Sequence, residues 1–267
     1  MRTGREALVA ALAAHAASQN GIVVGEAVGV AGIARAVTGN VLRTPLSEAG
    51  AVGVAVGLAL AGRRPVVELI DGAGIGRAAE ALAEAAAVAA RSNGAFTAPI
   101  VVLARLADDG VIPVIPAGVS LAVAGVPEDA AGLFAAAIAA SGPTLLLLAD
   151  AALEERGEGS VEGLGVPVVR RAGREVTVLA EGAGVAVALG TPGDHEVVDL
   201  RGCRDAARIG ALIAHTGRAV AVGHGDPRVL AAVYAQTFWR LESQPAHLSA
   251  AAGAPALGAA LSESLTP

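Results

Sequence analysis

The feature that most constrains the fold is a regular alternation of short apolar runs, rich in Val, Ile and Leu, with longer Ala-rich runs. The apolar runs predict strands at 21–25, 65–70, 99–105, 119–124, 144–149, 176–180, 197–200 and 219–223. The Ala-rich runs predict helices at 48–61, 77–91, 127–141, 205–216 and 228–241. Strands separated by helices are typical of parallel sheets covered on both faces. The sequence therefore predicts an α/β fold with helices on both faces of each sheet.

A change in composition divides the chain into two parts. Residues 154–167 are charged, glycine-rich and without an apolar period, which is typical of a linker. We therefore predict a first domain at 1–153, a linker at 154–172 and a second domain at 173–267, each domain built on a mostly parallel sheet. The length of 267 residues fits one or two domains. The Ala-, Gly- and Ser-rich segment from Ala246 onward predicts a partly loose tail.

Charge and residue usage exclude several classes of function. The net charge is −6, so the chain has no basic footprint for nucleic acid or for an anionic membrane. All 19 cationic residues are Arg, which excludes Schiff-base catalysis and a P-loop lysine. Cys203 is the single cysteine, so the chain has no intrachain disulfide and no cysteine-based zinc or iron–sulfur site.

The N-terminus shares some features with a signal peptide. Two arginines precede an apolar run, and Ala14-His15-Ala16 resembles a cleavage site. The same segment predicts a first helix, with Thr3 as its N-cap and Glu6 completing a capping box. Because no stretch offers about 20 apolar residues without interruption, we expect no membrane span and a soluble, cytoplasmic protein.

The most informative local motif is Arg43-Thr44-Pro45-Leu46-Ser47-Glu48-Ala49-Gly50. Pro45 forces an extended approach, and Glu48 then falls in the first turn of an apolar helix. On spacing alone the motif is an ordinary helix cap, with Thr44 or Ser47 as the capping residue and Glu48 favoured by the helix dipole. The wider context favours a functional carboxylate.

That context is an ordered set of further segments. They are Val23-Val24-Gly25-Glu26, Gly53, Gly57, Ala61-Gly62-Arg63-Arg64-Pro65, Glu68, Pro99-Ile100-Val101-Val102, Pro127-Glu128-Asp129-Ala130, Glu196-Val197-Val198-Asp199-Leu200-Arg201 and Thr216-Gly217-Arg218. Together with the Glu48 motif, they resemble the β subunit of the thiamine-diphosphate-dependent 2-oxo acid dehydrogenases of the pyruvate and branched-chain type. The resemblance implies a transketolase-like pyrimidine-binding domain followed by a transketolase C-terminal-like domain.

The resemblance also implies a set of site residues. In that family the glutamate at the position of Glu48 shares a proton with a ring nitrogen of the cofactor's aminopyrimidine, which activates the cofactor. Glu48 is therefore the implied catalytic residue, a carboxylate held rigidly in an apolar site. Glu26 matches a second family acid near the cofactor, and its alternative is an ordinary solvated loop carboxylate. Leu46, Gly74 and Arg77 are the other implied cofactor contacts.

Three departures from the family pattern lie near these residues. Gly74 occupies the position of a family aromatic that stacks on the aminopyrimidine, a contact worth roughly 1 kcal/mol. Arg77 stands where the family often has Gln. Segment 106–117 carries Asp108 and Asp109 but not the family histidine that handles the substrate or acyl group.

A partner chain is implied by a missing motif. In the family, the diphosphate and its magnesium are held by a Gly-Asp-Gly…Asn motif on the other subunit, and this chain has nothing similar. The expected partner is an α-type subunit that carries the magnesium, in an α2β2 assembly with the active site at the interface. The expected substrate is a small 2-oxo acid or a ketose, and no metal ligands are expected in this chain.

Two other hypotheses remain open from the sequence. The chain is alternatively a catalytically degenerate scaffold for its α partner. It is alternatively a small nucleotide-binding protein, because Asp71–Gly76 follows a predicted strand and precedes a helix, although its glycine pattern departs from Gly-x-Gly-x-x-Gly. The sequence does not identify the carbonyl substrate, the acyl acceptor or a role for Cys203.

Overall fold

The computed structural model describes residues 1–70, 72–107, 112, 114–157, 163–223 and 227–266. The predicted features at Asp71, Asp108 and Asp109, and the middle of the predicted linker, lie outside the described residues. Among the residues described, no helix combines the length and the apolar character that crossing a membrane requires.

The first part of the chain folds around a six-stranded sheet. Its elements are β1 (Arg2–Thr3), α1 (Gly4–Ala17), β2 (Gly21–Gly25), β3 (Val41–Arg43), α2 (Glu48–Leu60), β4 (Arg64–Glu68), α3 (Gly74–Arg91), β5 (Val101–Leu106), β6 (Ser120–Ala124), α4 (Pro127–Ala139), β7 (Thr144–Ala149), α5 (Asp150–Glu154) and β8 (Arg156–Gly157). The strand order is β3-β2-β4-β5-β7-β6, and every pairing in the sheet is parallel. The short strands β1 and β8 form a separate antiparallel pair.

The second part is built on a five-stranded sheet. Its elements are β9 (Val168–Arg171), β10 (Val176–Glu181), α6 (Ala183–Gly190), β11 (His195–Asp199), α7 (Ala206–Ile213), β12 (Ala219–Gly223), α8 (Pro227–Thr237), β13 (Ala246–Leu248) and α9 (Gly253–Ser264). The order is β13-β12-β10-β11-β9, with only the edge strand β9 antiparallel in this described sheet. The predicted fold class, two mostly parallel α/β sheets, is confirmed.

Each face of the first sheet is covered by helices, as its apolar strands require. Leu8 and Leu12 of α1 and Leu133 of α4 are fully buried on one face. Val52 of α2 and Leu82 of α3 are fully buried on the other. The predicted capping box also forms, because the Thr3 side chain and the Glu6 side chain each accept a backbone N–H of the other residue. Helices α2 and α3 cover the same face of the sheet. Each of them follows the carboxyl end of a parallel strand, so their N-termini lie at the same edge.

The prediction of a partly loose C-terminal tail is wrong. The segment from Ala246 forms β13 and then α9, and Leu257 and Leu261 of α9 are buried in the core of the second sheet. The low polarity of this Ala-rich segment is explained by that burial. The predicted linker range also contains β9, whose Val168 and Val169 pair with β11.

A buried cluster of charges connects the two parts. Arg170 of β9 donates to Asp129 at the start of α4 and, at 2.9 Å, to Oδ2 of Asp199 at the end of β11. Burial, with the Asp129 charge, raises the pKa of Asp199 to about 7, although Arg170 opposes the shift. Arg201, also fully buried, lies 3.4 Å from Asp129. The cluster ties the second sheet to the helix layer of the first.

Candidate active site

Three carboxylates meet where the strand order of the first sheet reverses. The chain passes from β2 to β3 on one side, and then returns to the other side of β2 as β4. Glu26 directly follows β2, Glu48 begins the helix after β3, and Glu68 ends β4. In open α/β sheets, ligands bind outside the carboxyl ends of the strands at such a switch point. The topology thus places these side chains where a ligand site is expected.

A small pocket at this edge contains all three acids. It is lined by Glu26, Thr44, Pro45, Ser47, Glu48, Ala51, Glu68 and Leu69. Its volume is about 10 Å³, which is about the room that one water molecule needs. A ring-sized ligand therefore has to lie at the mouth of the pocket, against Glu48, rather than within it.

The helix entry before Glu48 decides between the two predicted caps. Ser47 is the N-cap of α2, in an extended conformation with φ −166° and ψ 102°, and its hydroxyl accepts the Gly50 N–H at 3.1 Å. The buried Thr44 hydroxyl has no hydrogen-bond partner. Glu48 is the first residue of α2, so its carboxylate lies at the positive end of the helix dipole.

Arg77 covers Glu48 from the solvent side. Its Nε donates to Glu48 Oε1 at 2.9 Å, and its Nη2 donates to the same oxygen. The Glu48 side chain is only 16% exposed, whereas that of Arg77 is 58% exposed. The hydrogen bonds from Arg77 are the main reason why the pKa of Glu48 lies below its ordinary value. Glu48 is therefore a carboxylate at neutral pH.

Gly74 allows this arrangement. It is the first residue of α3, not part of a preceding loop as predicted. A Cβ at this position would lie 3.0 Å from Glu48 Cγ and 3.2 Å from its Oε1. Because glycine has no Cβ, the first turn of α3 approaches Glu48 closely, and the N-termini of α2 and α3 converge on one carboxylate.

Glu68 is a site residue that the sequence prediction missed. It is 5% exposed, and its carboxylate accepts the backbone N–H groups of Ile33 and, at 3.1 Å, Ala34. Gly32 permits the approach, since its φ is +72° and a Cβ there would lie 2.5 Å from Glu68 Oε1. Burial raises the pKa of Glu68, and the two N–H groups oppose that shift.

The role of Glu68 is to fix the loop that carries Glu26. That loop leaves β2 and is held by two charged groups: Glu68 at the end of β4 accepts the Ile33 and Ala34 N–H groups, and Arg43 Nε donates to the Val28 carbonyl at 3.0 Å. Glu68 could have been recognised from the sequence, because it is an acidic residue at the end of an otherwise apolar predicted strand. Glu26 itself is partly buried on the pocket wall.

The surface around the pocket is apolar and exposed. Leu46 is 78% exposed and does not line the pocket, and Ile70 is also exposed. The outer face of α2 presents Gly53, Val54 and Gly57 to solvent. Exposed apolar surface next to a site of this kind is typical of a protein interface.

The described residues provide few candidates for holding a metal ion. Within the described ranges, no group of three or more His, Cys, Asp or Glu side chains has the arrangement of a metal site. The site presents the ionised carboxylate of Glu48 beside the bare backbone of Gly74. This arrangement suits a planar ligand that donates a hydrogen bond from its edge.

Comparisons with known proteins identify relatives over most of the chain. The 3-methyl-2-oxobutanoate dehydrogenase subunit beta of Mycobacterium tuberculosis is 32% identical over 237 residues, which cover 75% of this chain and 67% of the relative. The pyruvate dehydrogenase E1 component subunit beta of Bacillus subtilis is 30% identical over 243 residues, which cover 76% and 74%. That of Leifsonia xyli is 29% identical over 264 residues, which cover 83% and 78%. No family model matches the chain.

Solved structures with the same fold include two transketolases. A split-gene transketolase, described as an inactive β4 tetramer, superposes with a TM-score of 0.76 at 20% identity and covers 98% of both chains. The transketolase of Leishmania mexicana superposes with a TM-score of 0.64 at 16% identity, over 98% of this chain and 44% of that one. Both superpositions cover 98% of this chain, so the shared fold includes both sheets.

Proposed function

Because the chain belongs to the β subunits of the thiamine-diphosphate-dependent 2-oxo acid dehydrogenases, we propose that Glu48 is its catalytic residue and that the active site is completed by an α-type subunit. The chain is a β-type subunit of an enzyme of this class, and β subunits in the family pair with α subunits. The reaction proposed is decarboxylation of a small 2-oxo acid, or cleavage of a ketose, with transfer of the remaining unit. The scaffold alternative and the small nucleotide-binding alternative are not favoured by these relatives.

The residues of the site fit the aminopyrimidine end of thiamine diphosphate. Gly74 has no side chain and packs closely against Glu48, so its bare backbone is the surface on which a flat ring would lie. Glu48 offers a carboxylate oxygen at the mouth of the pocket, the acceptor that a ring nitrogen bearing a proton requires. When bound, thiamine diphosphate supplies the nucleophilic carbon that attacks the substrate carbonyl.

The chain's own residues have separable tasks in this proposal. Glu48 accepts and holds a proton at its carboxylate while it orients the ring. Gly74 lies beside Glu48, Leu46 is part of the exposed apolar surface near the pocket, and Glu68 holds the Glu26 loop in place. Glu26 is close enough to line the same pocket, so we assign it to the cofactor surroundings.

The observation that carries the proposal is the environment of Glu48. Its carboxylate is mostly shielded, lies at two converging helix N-termini and opens toward an exposed apolar surface. A stability role alone does not require an acid there, because Ser47 already caps the helix.

Several observations support a site shared with a partner. The pocket is too small for a cofactor, and no sequence motif for the diphosphate is present. We infer that the α-type subunit holds the diphosphate and the magnesium, and that the assembly is α2β2. The inactive state named for the β4 tetramer of the split-gene transketolase agrees with a requirement for the other chain. A cytoplasmic location fits this reaction.

The test is turnover of the assembled complex with pyruvate and with 3-methyl-2-oxobutanoate. Glu48→Gln keeps the size of the side chain and removes the proton-sharing carboxylate, a loss of about 10²- to 10⁴-fold for a general acid–base group. Glu84→Gln is the matched control, because Glu84 is an exposed acid paired with Arg91 on α3. Full turnover of Glu48→Gln would reject the catalytic assignment.

A further inference from the structure

Arg77 occupies a position that helix electrostatics do not favour. It is the fourth residue of α3, near the positive end of the helix dipole, where a cation is destabilising. Glu48 compensates that charge through two hydrogen bonds to one oxygen. The arginine is therefore placed here by its contact with the carboxylate and not by the needs of its own helix.

The guanidinium resembles the ligand that Glu48 is proposed to bind. A guanidinium is a flat cation with several N–H donors along its edge, and it matches a carboxylate in geometry. A protonated aminopyrimidine is also flat and also points a ring N–H donor outward in its own plane. The two groups are thus alternative partners for the same acceptor.

The two groups also require the same space. Arg77 Nη2 lies 3.6 Å from the position of a Cβ on Gly74, and the Glu48 oxygen it binds lies 3.2 Å from that position. A flat ring against the Gly74 surface would have to stand at about the same distance, which is ordinary van der Waals contact. The Arg77 side chain is mostly solvent-exposed, so it has room to swing outward.

We propose that Arg77 is an internal competitor of the aminopyrimidine: its guanidinium occupies the place beside Gly74 and binds Glu48, and the ring reaches the carboxylate only after Arg77 has moved out to solvent. This inference rests on the proposed function, since it assumes that Glu48 receives the ring. Arg77 is then a positioning residue that controls access to Glu48, and not itself a cofactor contact as the family resemblance implied.

The size of the effect follows from the exposure of the Arg77 side chain, which is 58%. Ion pairs that solvent reaches have modest strength, so removal of the competitor should tighten binding of an aminopyrimidine by about two- to fivefold. Arg77 also lowers the pKa of Glu48, so its removal should raise that pKa. Both changes have the same cause but are measured independently.

The experiment uses the complex of the full chain with its α-type partner, and it has two readouts. The first is the pH titration of the Glu48 carboxyl carbon by NMR, assigned with Glu48→Gln. The second is the dissociation constant of the free probe 4-amino-5-hydroxymethyl-2-methylpyrimidine. The variants are Arg77→Gln, Arg77→Lys and the control Arg91→Gln, which breaks the Glu84 pair on the same helix.

For Arg77→Gln we expect a higher pKa of Glu48 and two- to fivefold tighter probe binding, with Arg77→Lys intermediate and Arg91→Gln unchanged. If Arg77→Gln alters neither readout while Glu48→Gln still weakens probe binding, the competitor role is overturned and the proposed function stands. If wild type, Arg77→Gln and Glu48→Gln all bind the probe equally or not at all, the proposed function fails and the competitor role fails with it.

Discussion

Glu68 provides the sharpest test of how the site is held together. Its carboxylate is the acceptor for the Ile33 and Ala34 N–H groups. Glu68→Ala leaves both N–H groups buried without this acceptor, at about 1–3 kcal/mol each, and removes one buried methylene, Cγ, at about 0.8 kcal/mol. The expected loss in the free energy of unfolding is about 3 to 7 kcal/mol, a large part of the 5–15 kcal/mol of a typical domain.

The conservative variant keeps the prediction measurable if Glu68→Ala does not fold. Glu68→Gln retains the methylenes and one carbonyl acceptor, so its loss should be about 1–3 kcal/mol. Because burial raises the pKa of Glu68 above 4.5, the folded state keeps the proton longer than the unfolded state does. The stability of the wild type relative to Glu68→Gln should therefore fall as pH rises from 4.5 through the raised pKa.

The assay is urea unfolding combined with hydrogen exchange at the Ile33 and Ala34 amides. Glu68→Ala should lose protection at both amides, and Glu68→Gln at one or both, before other loops are affected. Glu80→Ala, an exposed acid on α3, is the control and should change stability by less than about 0.5 kcal/mol. Wild-type stability and protection in Glu68→Ala would refute the reasoning.

Three further predictions address other parts of the molecule. Gly53→Leu should stabilise the chain by up to about 1 kcal/mol, because Gly53 lies inside α2 with nothing within 4 Å of an added Cβ, yet it should weaken assembly with the α-type partner in analytical ultracentrifugation. Gly258→Leu in α9, which has equally open surroundings, should stabilise without that loss, and equal assembly of the two variants would contradict an interface on α2. The stability of the wild type relative to Asp199→Asn should fall between about pH 4 and pH 7, since the folded-state pKa is about 7 against 3.8 unfolded; a difference that rises with pH over that range would contradict the assignment. Cys203 is buried and its thiol pKa is raised by burial, so a thiol reagent should label it only on unfolding, and rapid labelling of the native chain would contradict this.

The fold was largely predictable because the main strands are apolar enough to be recognised singly. The strand at Thr144–Ala149 has its predicted bounds, since both faces are buried and no polar residue interrupts the run. The strand at Ala219–Gly223 agrees for the same reason. The edge strand β9 was not predicted, because a strand at the edge of a sheet tolerates the two arginines of Val168–Arg171.

Short or weakly patterned elements were harder to predict. Helix α6 has eight residues and begins after Gly182, whose φ is +59°, so its sequence has the appearance of a glycine loop. Helix α9 consists mainly of small residues and is ordered by burial of Leu257 and Leu261. In both cases tertiary packing, and not local propensity, decides the structure.

The candidate site was predictable only in part. The entry through Pro45 and Ser47 identifies Glu48 as a helix-start carboxylate. The pair between Glu48 and Arg77 joins residues 29 positions apart, and the hydrogen bond that the Ile33 N–H donates to Glu68 joins residues 35 apart. Contacts of this kind depend on the strand order, which the sequence pattern alone does not specify.

Titration of thiamine diphosphate with Mg²⁺ tests the central claim most directly. It should be measured by calorimetry on the chain alone, on the chain with its α-type partner, and on the same complex with Glu48→Gln. Our account predicts weak binding by the chain alone, tight binding by the wild-type complex, and measurably weaker binding by the Glu48→Gln complex. Tight binding by the isolated chain, or equal affinity in the two complexes, would contradict it.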